Sequence, residues 1–277
     1  MINKIFFLGT PAFSANILQG LIEKGINVAG VITGTDKKQD RGHAISQSEV
    51  ALVAEINKIP LFKPNNIIEL KEILQKEAPN LCLVIAFGMI FPADLVETYD
   101  FINIHTSLLP KYRGPSPVQS CLLNGNKTTG VTLMKIGKGI DDGDIIHVEQ
   151  ITISEEETTE SLFNKLEKLS INLLAKQLSQ KELWTYLPQN NKEASFTKKI
   201  KKEDGCIDFT KETAKTIYNK FQAYYPWPGI YTYQNDQRIK ITNLKISNNT
   251  LEIVTIQKEG KRPVAYKDFL NSNPPLI

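Results

Sequence analysis

Through the first two-thirds of the chain, short apolar runs alternate with longer stretches whose apolar side chains recur at helical spacing. Continuous apolar runs predict buried strands at 4–8, 28–33, 59–62, 81–85, 101–104, 131–135 and 145–151. Helical spacing predicts helices at 14–23, 50–56, 67–77, 118–123 and 159–178. In the first, Ile17, Leu18, Leu21 and Ile22 share one face and Ser14 stands as the expected N-terminal cap. In the last, Leu162, Leu166, Leu169, Leu173 and Leu174 form one stripe, with Thr158 or Thr159 as the cap.

Apolar strands separated by amphipathic helices predict an α/β fold: a Rossmann-like, mostly parallel sheet with helices on both faces. Ligands of such sheets lie beyond the carboxyl ends of the strands, so the chemistry is expected on the loops after Leu8, Ile85 and Ile104. After Pro188 the pattern changes. A polar stretch is followed by a helix at 212–223 and short alternating strands at 231–233, 238–244 and 250–257. The expected division is a catalytic domain over 1–188, a linker over 189–205, and a small antiparallel, OB-like β-barrel over 206–277.

Charge adds one feature to this picture. The chain of 277 residues carries net +3, unevenly distributed. From Phe196 onward there are 14 Lys and Arg against 8 Asp and Glu, while the rest is net −3. A basic C-terminal region suits either a polyanionic partner or an ordinary solvated surface. No apolar run reaches the roughly 18 residues of a membrane span, and the first residues are interrupted too early for a signal peptide. Three widely spaced cysteines give no disulfide framework, which predicts reduced thiols in the cytoplasm. With three histidines and no clustered ligand spacing, no metal site is expected.

The candidate chemistry centres on Asn103 and His105. Two residues apart on a strand, they project from the same face near its end. An amide donor beside an imidazole suits a carbonyl oxygen that gains negative charge, though such a pair also serves to cap a loop. An abrupt turn, Ser107-Leu108-Leu109-Pro110, follows. Further on, Gly139-Ile140-Asp141-Asp142-Gly143-Asp144 is an acidic, glycine-bounded loop. Its aspartates can satisfy turn amides, or one can orient the imidazole.

Taken together, Asn103-Ile104-His105, Ser107 through Pro110, Tyr112-Arg113-Gly114 and Ile140-Asp141-x-Gly143-Asp144 resemble the signature of the folate-dependent formyltransferase family, over nearly the whole chain. The resemblance implies a formyl transfer from 10-formyltetrahydrofolate to a primary amine, without a metal. It implies that Asn103, His105 and Asp141 are catalytic. It implies folate contacts from Ser107, Leu108, Leu109 and Pro110, and from Phe87, Gly88, Met89 and Ile90. The opening Gly9-Thr10-Pro11-Ala12-Phe13 and the polar insertion 33–46 are similar to the tRNA-acting branch. There Thr10 and Phe13 would receive the methionyl group, and Lys37, Lys38 and Arg41 would meet the phosphates of initiator methionyl-tRNA. Gln47-Ser48-Glu49 stands where a proline-rich stretch is expected. The implied protein is a cytoplasmic monomer without a membrane segment. A sugar-nucleotide N-formyltransferase, a hydrolase of the same folate and a non-catalytic binding module are the competing readings. The absence of Gly-x-Gly-x-x-Gly after the first strand argues against a dinucleotide site.

Overall fold

The computed structural model describes residues 4–38 and 45–277. In chain order the elements begin with β1 (Ile5–Gly9), α1 (Ala12–Glu23), β2 (Val28–Ile32), β3 (Lys37–Lys38), β4 (Ile45–Ser46), α2 (Glu49–Ile56) and β5 (Leu61–Phe62). They continue with α3 (Ile67–Glu77), β6 (Leu81–Ile85), α4 (Ala93–Thr98), β7 (Phe101–His105), α5 (Pro117–Leu123), β8 (Thr128–Lys135), β9 (Ile145–Thr152) and α6 (Thr159–Leu178). The last are α7 (Ala214–Tyr224), β10 (Ile230–Gln234), β11 (Gln237–Ser247), β12 (Thr250–Lys258), β13 (Val264–Ala265) and α8 (Tyr266–Leu270).

The main sheet has the order β5-β2-β1-β6-β7-β8-β9. The pairs from β5 to β7 are parallel, and β8 runs antiparallel to β7. This is the expected mostly parallel α/β sheet. Its order reverses between β1 and β6, which opens a crevice at their carboxyl ends. Every residue of β1 and β6 is buried, as the unbroken apolar runs require of a strand covered on both sides.

On one face, Phe6, Leu8, Ile32, Cys82, Val84 and Phe101 pack with Leu70 and Leu74 of α3 and Leu95 of α4. The opposite face carries α1. A side chain at Gly9 would strike Ser14 and Phe7, so the helix begins in close contact with the strand end. Contrary to the expectation from sequence, Ser14 does not cap the helix: α1 starts at Ala12, and Ser14 lies inside it. Its buried hydroxyl instead donates to the Ile85 carbonyl at 2.5 Å, tying α1 to the end of β6. Asn66 caps α3, accepting from the amides of Ile68 and Glu69. Among the described residues, no helix is long and apolar enough to cross a membrane.

Two compact units result. The first contains residues 1–113, 130–150 and 165–195; the second contains 114–129, 151–164 and 196–277. Stretches well before Pro188 therefore belong with the C-terminal unit, and hydrogen bonds explain why. Thr159 donates to the Ala223 carbonyl at 2.6 Å, Gln222 to that of Glu155 at 2.6 Å, and Asn219 to that of Leu123 at 3.1 Å. Within this unit α5 packs on α7, which Thr213 caps. The strands β10, β11, β12 and β13 form a four-stranded antiparallel sheet in chain order. The first unit extends to Ser195 because the polar stretch after Pro188 is hydrogen-bonded into it, as described below.

Candidate active site

His105 is the last residue of β7 and is buried. The chain then turns back on itself through a tightly bonded loop. Thr132 on β8, directly opposite His105, donates to the Ser107 carbonyl at 2.7 Å and accepts from the Leu109 amide at 3.2 Å. The Ser107 hydroxyl donates to the Lys111 carbonyl at 2.6 Å. The Leu109–Pro110 peptide is cis. Tyr112 adopts a left-handed conformation, with φ of 63°, and its carbonyl meets Nε2 of His105 at 2.9 Å. A carbonyl oxygen only accepts, so Nε2 carries a hydrogen and donates. The other ring nitrogen, Nδ1, lies 3.5 Å from Oδ2 of Asp141.

Asp141 sits in the loop between β8 and β9, also left-handed, with φ of 47°. Close packing holds this loop. A Cβ on Gly143 would stand 1.9 Å from the Lys135 carbonyl oxygen, so no larger residue fits. Asp142 turns inward to accept from the Gly139 amide at 3.0 Å. Asp142 thus satisfies a turn, and Asp141 faces the imidazole. Asn103 lies half-buried two residues before His105 on β7, with no hydrogen-bond partner for its carboxamide among the described residues. An unused amide, an oriented imidazole and a carboxylate can together receive a carbonyl oxygen that becomes an oxyanion.

The formyl transferase model matches residues 3–178, and the model of the formyl transferase C-terminal domain matches residues 199–252. The chain belongs to the formyl transferase family. A curated methionyl-tRNA formyltransferase from Nitratiruptor sp. is 40% identical over 253 residues, covering 90% of this chain and 82% of the relative. Among solved structures, a methionyl-tRNA formyltransferase from Clostridium thermocellum aligns with a TM-score of 0.65 at 20% identity, over 92% of this chain and 98% of that one. The N-formyltransferase from Helicobacter canadensis, in complex with folinic acid and dTDP-3-aminofucose, aligns with a TM-score of 0.64 at 21% identity, over 96% and 99%. Both likenesses concern the fold.

The remaining expected site residues of this formyl transferase fall into three groups. Thr10 follows β1 directly and donates to the Phe87 carbonyl at 3.3 Å, and Phe13 lies in the first turn of α1. This pair therefore stands at the switch point of the sheet. Ile90 is 93% exposed, Gly88 is exposed with φ of 87°, and Met89 is partly buried. Ile140, beside Asp141, is exposed as well. These leave apolar surface open to a flat heterocycle. Phe87 and Ser107, by contrast, are turned inward. The Phe87 ring is buried and stacks on Phe91, which stacks on Phe101. The hydroxyl of Ser107 is used within the turn, and its carbonyl accepts from Thr132 of β8. Leu109 is buried, while Leu108 and Pro110 are partly exposed. Lys37 and Lys38 form β3 by their backbone, paired with β4. Arg41 lies outside the described residues.

Three residues that build the site carry no role in the sequence reading: Tyr112, through its carbonyl, and Arg113, which stand there only as part of the resemblance motif, and Gln189. Arg113 is buried, and its Nε and Nη2 donate to Oε1 of Gln189 at 3.1 and 2.8 Å. Ser195 binds the same stretch, accepting from the Tyr112 amide at 2.9 Å with its hydroxyl and from the Arg113 amide at 2.8 Å with its carbonyl. Every one of these bonds joins segments far apart in the chain. Polarity alone predicts a linker at 189–205.

Proposed function

We propose that this formyl transferase moves the formyl group of 10-formyltetrahydrofolate onto the α-amine of methionyl initiator tRNA. The observation that carries the reading is the approach of His105 to Asp141, 3.5 Å apart, beside Asn103 at the end of β7. The long match to a methionyl-tRNA formyltransferase supports the choice of acceptor. So do Thr10 and Phe13 at the switch point and the basic excess after Phe196. The folinic acid of the Helicobacter canadensis neighbour supports a folate donor.

In this mechanism the neutral amine attacks the formyl carbon, and the carbonyl oxygen becomes an oxyanion. Asn103 donates to that oxygen, and the imidazole of His105, with Asp141 behind it, stabilises the developing charge. Collapse breaks the bond from the formyl carbon to N10, and the proton lost by the amine ends on N10 of tetrahydrofolate. An α-amine titrates near about 7.7–8.0, so a useful neutral fraction exists at neutral pH. Exposed Ile90 and Ile140, with partly buried Met89, offer the flat donor an apolar surface.

The test is incubation with 10-formyltetrahydrofolate and either methionyl-tRNA or an amino-sugar nucleotide, followed by mass spectrometry. N-formylmethionine on the tRNA is expected. Formylation of the sugar alone would reassign the acceptor, and no transfer to either would reject the reading.

A further inference from the structure

Gln189 joins the two loops that hold the imidazole and the carboxylate. Its Nε2 lies 2.9 Å from the Asp141 carbonyl and 2.7 Å from the Gly143 carbonyl. Its Oε1 accepts from Nε and Nη2 of Arg113, at 3.1 and 2.8 Å. The partners dictate the amide's orientation: two carbonyls require donors, and a guanidinium requires an acceptor. Arg113 directly follows Tyr112, whose carbonyl fixes Nε2 of His105. Nη2 of Arg113 also donates to Asn191 at 2.9 Å, so the strap is held at a second point.

We infer that Gln189 is a positioning residue for formyl transfer, locking the Asp141 loop against the Tyr112–Arg113 turn so that the carboxylate faces Nδ1 of His105. The inference rests on the site reading above. The physical reason lies in the loop itself. Asp141 is in a left-handed conformation that a non-glycine residue adopts at a cost, so external bonds must hold it there. Both hydrogens of the Gln189 amide go to the two carbonyls that flank Asp142. Arg113 polarises that amide from the other side and strengthens its donation. The buried guanidinium, the partly buried amide and the two carbonyls thus form one chain from the histidine's loop to the aspartate's.

Two variants separate the parts. Gln189→Glu keeps an acceptor for Arg113 and therefore the fold, but turns only acceptors toward the Asp141 and Gly143 carbonyls. Gln189→Met removes the donation without adding charge. In the full-length protein each is expected to lower kcat about 10- to 100-fold, because small misplacement of a catalytic group is costly. KM for both substrates should stay within about threefold, since no substrate contact is lost. The decisive readout is the same pair of changes in an Asp141→Asn background. There each should cost less than about twofold, because the group being positioned is already disabled. As a measurement independent of turnover, amide exchange at 137–144 should rise about tenfold in Gln189→Glu while β1 and α1 keep their protection.

Wild-type kcat in both variants, or an equal cost with and without Asp141, would overturn the inference. An Asp141→Asn enzyme that retains full activity would instead overturn the site reading on which it depends.

Discussion

The carbonyl of Tyr112 and Nε2 of His105 are 2.9 Å apart, and this contact decides how the imidazole stands. The carbonyl reaches the ring because Tyr112 adopts a left-handed backbone, and Ser195 holds it there by accepting from the Tyr112 amide at 2.9 Å. With a hydrogen on Nε2 directed to a carbonyl, Nδ1 is left facing Asp141. Acceptor oxygens thus face both ring nitrogens.

The Asn103 carboxamide has no protein hydrogen bond to lose among the described residues, so its removal tests chemistry with little effect on folding. Asn103→Ala is expected to keep the wild-type melting temperature and lose about 10²–10³ in kcat, the usual effect of one missing oxyanion donor. Steady-state kinetics beside calorimetry measures both. Turnover within a few fold of wild type would remove Asn103 from the mechanism.

Asp141→Asn keeps the size of the side chain but removes the charge facing Nδ1. Loss of the carboxylate partner of a catalytic histidine lowers turnover by about 10²–10⁴. The expected signature is that loss in kcat with an unchanged circular dichroism spectrum. A minor change in rate would show that the ring works without its carboxylate.

Ala78 closes α3 in a left-handed conformation, with φ of 44° and ψ of 60°, and is exposed. That conformation costs an L-residue roughly 1–2 kcal/mol, and glycine adopts it freely. Greater freedom of glycine in the unfolded chain offsets part of the gain. Ala78→Gly is therefore expected to raise Tm by roughly 1–3 °C for a chain of this size, without changing activity. A lower Tm would contradict the assigned strain.

The three cysteines should differ sharply in reactivity. Burial, reinforced by the negative charge of Asp100, pushes the Cys82 thiol up to about 12. Burial pushes Cys121 up to about 11, outweighing a hydrogen bond with Thr129 that lowers it. A raised value means the neutral thiol persists at pH 8, and the neutral thiol is a poor nucleophile. Cys206 is exposed. At pH 8 a disulfide reagent should titrate one thiol per native chain at a fast rate, and three after denaturation. Rapid reaction of all three in the native protein would contradict the burial.

Local pattern carried the elements. The helices α3 and α6 and the strand β6 have the bounds their periodicity predicts, because each is stabilised by one unbroken repeat of apolar side chains. The six-residue α4 went unforeseen, since so short a helix has barely two turns in which to show a repeat. The place of Ser14 before an apolar stripe predicts a cap. In the folded chain the Ile85 carbonyl takes its hydroxyl, and only tertiary structure brings that carbonyl near.

The class of sheet, the strand ends where chemistry is expected, and the motifs carrying Asn103, His105 and Asp141 are all legible in the order of residues. Only the folded chain shows which ring nitrogen Asp141 faces and that Gln189 spans the two loops. Side-chain types repeat along a chain and can be read there. Backbone carbonyls are the same at every residue, so a bond to one of them leaves no mark in the sequence.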